Sequence, residues 1–168
     1  MKINIYNIYY ILVISFFSRI VAFIFFSDIV IDNEWGILLH NFLVSGIFGV
    51  YVVDGDVVKH AYAEINQRVL PSVFMPPLYA YFLYFIKILI GDLYNFVNTV
   101  IFIQIVLSLF SILLFFKILK SFFSLKLSLL FSFIYSIIPI NIYLPTQISS
   151  ITIQIFLILV YFWITVDG

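Results

Sequence analysis

The sequence predicts an all-α integral membrane protein with about five transmembrane helices and one long polar loop after the first of them. Three observations predict it. Hydrophobic residues make up 65% of the 168 and charged residues only 10%, where a soluble domain carries roughly a quarter charged residues. Mean hydropathy is +1.22, far too apolar for a chain that must cover a water-facing surface. The apolar stretches are also apolar all round rather than on one face. As helices in lipid, such stretches satisfy their own backbone groups. The formal net charge of zero removes the electrostatic case for nucleic acid as a partner. With no cysteine there is no disulfide framework, thiolate nucleophile or thiolate metal site.

A spanning helix needs roughly 20 apolar residues. The first such window covers about 3–26, interrupted mainly by Asn4, Asn7, Ser15, Ser18 and Arg19. Its length, and the lack of a small-residue cleavage site after it, set aside a signal peptide. The second, about 76–90, opens on Pro76-Pro77, tolerated in a first turn because the missing N–H would be unpaired there. Gly91-Asp92 then forms a tight turn. The third covers about 94–116 and is followed by Lys117, Lys120 and Lys126. The fourth covers about 127–144, with Pro139 placed to kink or end it. The fifth covers 148–166, and a chain that stops at the lip of a helix reads as truncated. No repeat, low-complexity linker or heptad pattern suggests a different design. With five spans, Lys2 and Lys87 fall on the N-terminal side, while the three lysines after the third span fall with the long loop. A strict positive-inside count then puts that loop in the cytoplasm.

The loop, residues 27–75, holds Asp28, Asp32, Glu34, Asp54, Asp56 and Glu64, both histidines, Lys59, Arg68 and Trp35. Structureless loops of that length are uncommon, so short helices along the membrane surface are expected within it. Glu34 to Val44 has helical spacing, with Trp35, Leu38, Leu39 and Phe42 on one side, and Ser45-Gly46 ends it. Asp54-Gly55-Asp56 is a turn sequence between Tyr51–Val53 and Val57-Val58, which predicts an extended hairpin.

Most acids in a water-exposed loop do nothing chemical, and Asp54, Asp56 and Glu64 are read that way. Asp32 and Glu34 differ because they lie just past the first span, where a lipid-linked substrate would present its head group. Desolvation at that depth raises a carboxylate pKa and makes it a better proton acceptor. Arg19, inside the first span, either snorkels to the interface or contacts a phosphate. Asn95, Asn98 and Gln104 are read as interhelical glue. His40 and His60 lack the spacing of a metal pair. There is no Gly-rich phosphate cradle, serine nucleophile elbow or HExxH.

The order of features carries a resemblance. A first span is followed by Asp32-Asn-Glu-Trp35, a surface helix with Leu38-Leu-His-Asn-Phe-Leu43, and glycines at Gly46 and Gly49. A polar loop comes next, then Pro71-Ser-Val-Phe-Met-Pro-Pro-Leu-Tyr79, Gly91-Asp92, a basic turn and a span carrying Pro139. From Arg19 to Ile158 this resembles the N-terminal part of the GT-C glycosyltransferases, in the branch similar to protein O-mannosyltransferases and aminoarabinose transferases. Trp35 stands where the family usually has Tyr, and Leu39 where Ala is common. Gln147 to Ile151 lacks the acid many relatives carry after the fourth span. The resemblance implies transfer of a sugar from a polyprenyl-phosphate donor to an acceptor hydroxyl, in a multi-pass cell-membrane protein whose long loop is extracytoplasmic. It makes Asp32 the catalytic base and Glu34 its support, with Tyr79 in the substrate-binding Pro-Pro-Leu-Tyr motif and Arg19, Lys59 or Arg68 neutralising the leaving phosphate. It implies no cofactor and leaves a divalent metal open. The fragment alone is expected to be inactive. The alternative is a non-catalytic membrane protein such as a lipid flippase or transporter, in which charges sit mid-span and repeats are paired.

Overall fold

The computed structural model describes residues 7–28, 30–31, 33–55, 57–65, 67–72 and 76–167. The described helices are α1 (Asn7–Phe26), α2 (Glu34–Ser45), α3 (Pro77–Ile90), α4 (Leu93–Phe122), α5 (Leu125–Ile137), α6 (Pro139–Tyr143) and α7 (Ile151–Asp167). The strands are β1 (Tyr51–Asp54), β2 (Val57–His60) and β3 (Arg68–Leu70). The chain divides into two compact units, one of Met1–Asp28 with Ile101–Gly168 and one of Ile29–Val100.

Two helices, α1 and residues Asn95–Phe122 of α4, are long and apolar enough to cross a membrane, and a third crossing is made if the bent pair α5–α6 counts as one. The helices α3 and α7 have 14 and 17 residues. At 1.5 Å per residue they reach only about 21 and 26 Å, against a hydrocarbon core of about 30 Å. Among the described residues, length and composition therefore support two or three crossings, where the apolar windows suggested about five.

In the first unit the usual arrangement of polar and apolar groups is inverted. Helix α1 buries Ile8, Ile11, Ser15, Arg19 and Ala22, a stripe at three- and four-residue spacing. It turns Tyr10, Phe17, Ile24 and Phe25 outward. Buried serines also line α4 (Ser108, Ser111) and α5 (Ser128, Ser132, Ser136). Small hydroxyl residues inside and large apolar ones outside are what lipid-embedded helices show. Ile8, Ile11, Ile112, Phe116 and Leu129 form the apolar part of this core.

The break between α5 and α6 is a 66° bend. Pro139 has no N–H to give the Tyr135 carbonyl four residues back, and the Asn141 side chain supplies the missing donor at 2.8 Å. The turn Leu144–Thr146 that follows is held from both sides. Gln104 Nε2 donates to the carbonyls of Pro145 (3.3 Å) and Gln147 (2.7 Å). Gln147 Nε2 donates to the Phe26 carbonyl at 2.7 Å, an end left open when α1 stops. Asp28 accepts from Ile148 N–H at 2.7 Å, and its own N–H donates to the Thr146 carbonyl. Irregular backbone at membrane depth survives only when such donors are provided by protein.

In the second unit, β1 pairs antiparallel with both β2 and β3. The β1–β2 hairpin turns at Gly55 with φ +60, a left-handed conformation that suits glycine. The pairing of Arg68–Leu70 is a third strand that the alternation of the loop did not announce. Gly49 brings its backbone so close to this strand that a Cβ would lie 2.0 Å from the Leu70 carbonyl. Val52, Ala63 and Val69 fill the small core beneath the sheet.

Candidate active site

The candidate site belongs to the second unit and is built around the start of α2. Asn33 caps that helix, its side chain accepting from Trp35 N–H at 3.1 Å. An N-cap of this type satisfies one of the amides that a helix start leaves open. Gly36 lets the first turn press on the incoming chain, because a Cβ there would meet the Ile31 carbonyl at 2.2 Å. Asp32 lies outside the described residues. Glu34 is exposed in the first turn of α2, where the helix dipole favours a negative charge.

Helix α2 packs against α3. Trp35 meets Tyr79 edge-on with ring centroids 4.6 Å apart, and Tyr79 also stacks on Phe82. The acidic motif and the Pro-Pro-Leu-Tyr motif, more than 40 residues apart in sequence, therefore share one contact. Tyr79 is 2% exposed, so it joins the site as a packed ring beneath it.

Beside this contact lies a groove of about 390 Å³, lined among others by Ile31, Gly36, His40, Tyr62, Lys87 and Phe96. That is a volume typical of small-molecule sites, which combine apolar walls with a few placed polar groups. Lys87 Nζ donates to the Gly91 carbonyl at 2.6 Å and sits 5.5 Å from the Phe96 ring centre. An ammonium carries three donors, and among the described residues no carboxylate pairs with this one. His40 Nε2 is 3.0 Å from the Ala63 carbonyl. That contact requires a hydrogen on Nε2, so the neutral ring leaves Nδ1 as an acceptor. The Tyr62 ring stands edge-on to His40 at 5.3 Å.

The position of His40 depends on Asn41, which is fully buried. Its amide donates to the carbonyls of Gly49 (2.8 Å) and Ala61 (3.1 Å) and accepts from Ala63 N–H at 2.7 Å. One side chain thus ties α2 to both arms of the loop.

Of the remaining sequence candidates, Lys59 and Arg68 belong to strands of the second unit and Arg19 to α1 of the first. Lys59 forms an exposed ion pair with Asp54 at 2.7 Å across the hairpin. This pair holds the Asp54 carboxyl below its ordinary value, first through the hydrogen bond and then through the Lys59 charge. Arg68 is exposed in β3 opposite Val53. Arg19 belongs to the first unit and is nearly fully buried there. Its guanidinium donates to Ser108 Oγ (2.7 Å) and to the carbonyls of Ser15 (3.0 Å) and Asn141 (3.1 Å).

Lys87 and His40 are the residues that sequence reasoning passed over. The one available signal for Lys87 was its place as the single charge in an otherwise apolar helix. His40 had no signal, because its role comes from a carbonyl 23 residues away. Among the described residues no group of three or more His, Asp or Glu side chains is arranged to hold a metal ion. No family model, no curated protein and no solved structure matches this chain.

Proposed function

We propose that this chain is a module of a membrane glycosyltransferase that moves a sugar from a polyprenyl-phosphate donor to an acceptor hydroxyl. The observation that carries the reading is the groove lined by Val30, Ile31, Gly36 and Lys87 in the unit that bears the acidic motif. In this reading Asp32 takes the proton from the acceptor hydroxyl while the bond from the anomeric carbon to the donor phosphate breaks. Lys87 holds the departing phosphate oxygens, and His40 Nδ1 accepts a hydrogen bond from a sugar hydroxyl. Glu34 supports Asp32 from the first turn of α2.

The same reading makes α3 a helix lying along the membrane surface. Its 14 residues fall below the range for a crossing. Lys87, in its last turn, shares the groove with His40 and Tyr62 of the polar loop. The crossings by α1 and α4 remain. The described residues between α1 and α4 then share one face of the membrane. Lys117, Lys120 and Lys126 lie on the opposite face, where the positive-inside rule places the cytoplasm. The loop becomes extracytoplasmic, and the lysine count no longer opposes the resemblance.

One observation favours a second reading as a transporter. The bent α5–α6 pair is a broken span of the kind transporters build binding sites around. The test is binding of undecaprenyl phosphate to the purified chain in nanodiscs, read by native mass spectrometry against phosphatidylglycerol. The transferase reading expects selective binding that Lys87→Met weakens by at least tenfold. Binding no tighter than phosphatidylglycerol, or unchanged in Lys87→Met, would remove its support.

A further inference from the structure

The Arg19 guanidinium is 1% exposed and has no carboxylate partner among the described residues. Asp28, in the same unit, is occupied by Ile148 N–H. A cation buried without a counter-charge is destabilising even after relaxation. Its three hydrogen bonds use Nε–H and one hydrogen on each terminal nitrogen. A guanidinium carries five N–H donors, so one remains on each terminal nitrogen.

Beside these free donors is a chamber of about 20 Å³ lined by Arg19, Ser108, Tyr135, Asn141 and Thr152, among others. Thr152 is 4% exposed, and its hydroxyl has no hydrogen-bond partner. Buried hydroxyls without partners are rare and point to something that fills the space beside them. Two neighbouring serine hydroxyls are already committed, Ser108 to the Ile105 carbonyl and Ser111 to the Leu107 carbonyl. A buried positive charge with two uncommitted N–H groups and a buried hydroxyl without a partner therefore line one small space. By volume it takes at least one water-sized occupant. A water would occupy the donors but leave the charge uncompensated.

We propose that this chamber binds one small anion of halide size. The anion accepts from Arg19 and from the Thr152 hydroxyl and neutralises the guanidinium inside the helical unit. This site is independent of the groove on α2 and of the reaction proposed there.

The test uses the full chain in detergent with sodium bromide as the probe. Thermal unfolding is followed while bromide replaces gluconate at constant ionic strength. The expected result is a saturable rise in the unfolding midpoint with bromide, since an ion that binds only the folded state stabilises it by mass action. Thr152→Val keeps the shape and removes the hydroxyl. It should raise the bromide dissociation constant about tenfold, the worth of one hydrogen bond to a charged group, while the midpoint in gluconate holds or rises. A chamber filled only by water predicts no bromide dependence, and that result overturns the proposal. So does an equal bromide response in Thr152→Val. Stabilisation by sodium phosphate equal to that by bromide would also overturn the halide assignment, pointing to a phosphate oxygen.

Discussion

Replacing Asn41 with leucine tests how the candidate site is held together. Leucine fills a similar volume but makes none of the three hydrogen bonds of the buried amide. Ala63 is 4% exposed, so its N–H loses its only described acceptor, at about 2 kcal/mol for an orphaned buried donor. The carbonyls of Gly49 and Ala61 each lose a bond worth about 1 kcal/mol net. The sum is about 4 kcal/mol of local stability, or roughly 10³ in an opening equilibrium. Hydrogen exchange by mass spectrometry on peptides covering residues 61–64 reads this directly. Exchange at Ala63 should accelerate by that factor, while the β1–β2 hairpin amides of Val53 and Val58 change several-fold at most. Acceleration of less than tenfold at Ala63 would refute the claim that this amide clamps the loop. Equal acceleration across the hairpin would show that the unit melts as a whole.

The absent side chain at Gly36 gives a prediction whose sign discriminates. Helix propensity alone says Gly36→Ala stabilises α2 by about 1 kcal/mol. The Ile31 carbonyl, 2.2 Å from the new Cβ, says the backbone must move, at about 1–3 kcal/mol. A lowered unfolding midpoint with weaker undecaprenyl phosphate binding is expected, and a raised midpoint would refute it. For the Asp54–Lys59 pair the sign is that of a depressed carboxylate. Its stabilising effect is present above the unfolded value of 3.8 and is lost as pH falls through the lower folded value. A ¹³C carboxyl titration should place the Asp54 midpoint below 3.8 and return it toward that value in Lys59→Met; an unchanged midpoint would refute the pairing.

Where the sequence was legible, the cause was local. The length and composition of the apolar runs determine α1 and α4, because a helix in lipid satisfies its own backbone whatever surrounds it. Pro139 determines the break after Ile137, because the missing N–H belongs to the residue itself. Asp54-Gly55 determines the hairpin, because the positive φ there suits glycine. The candidate site was less legible. The chain order put Asp32, Glu34 and the Pro-Pro-Leu-Tyr motif in view, but nothing in their spacing showed that Trp35 would meet Tyr79. The tertiary structure decided how Lys87 and His40 share a groove, how Asn41 reaches Gly49, Ala61 and Ala63, and how Arg19 finds Ser108 89 residues away. It also decided that Arg68–Leu70 pairs as a strand and that Gly36 must carry no side chain. Each of these depends on a carbonyl, ring or hydroxyl supplied by a distant segment, and a buried polar group takes whichever partner folding brings within reach.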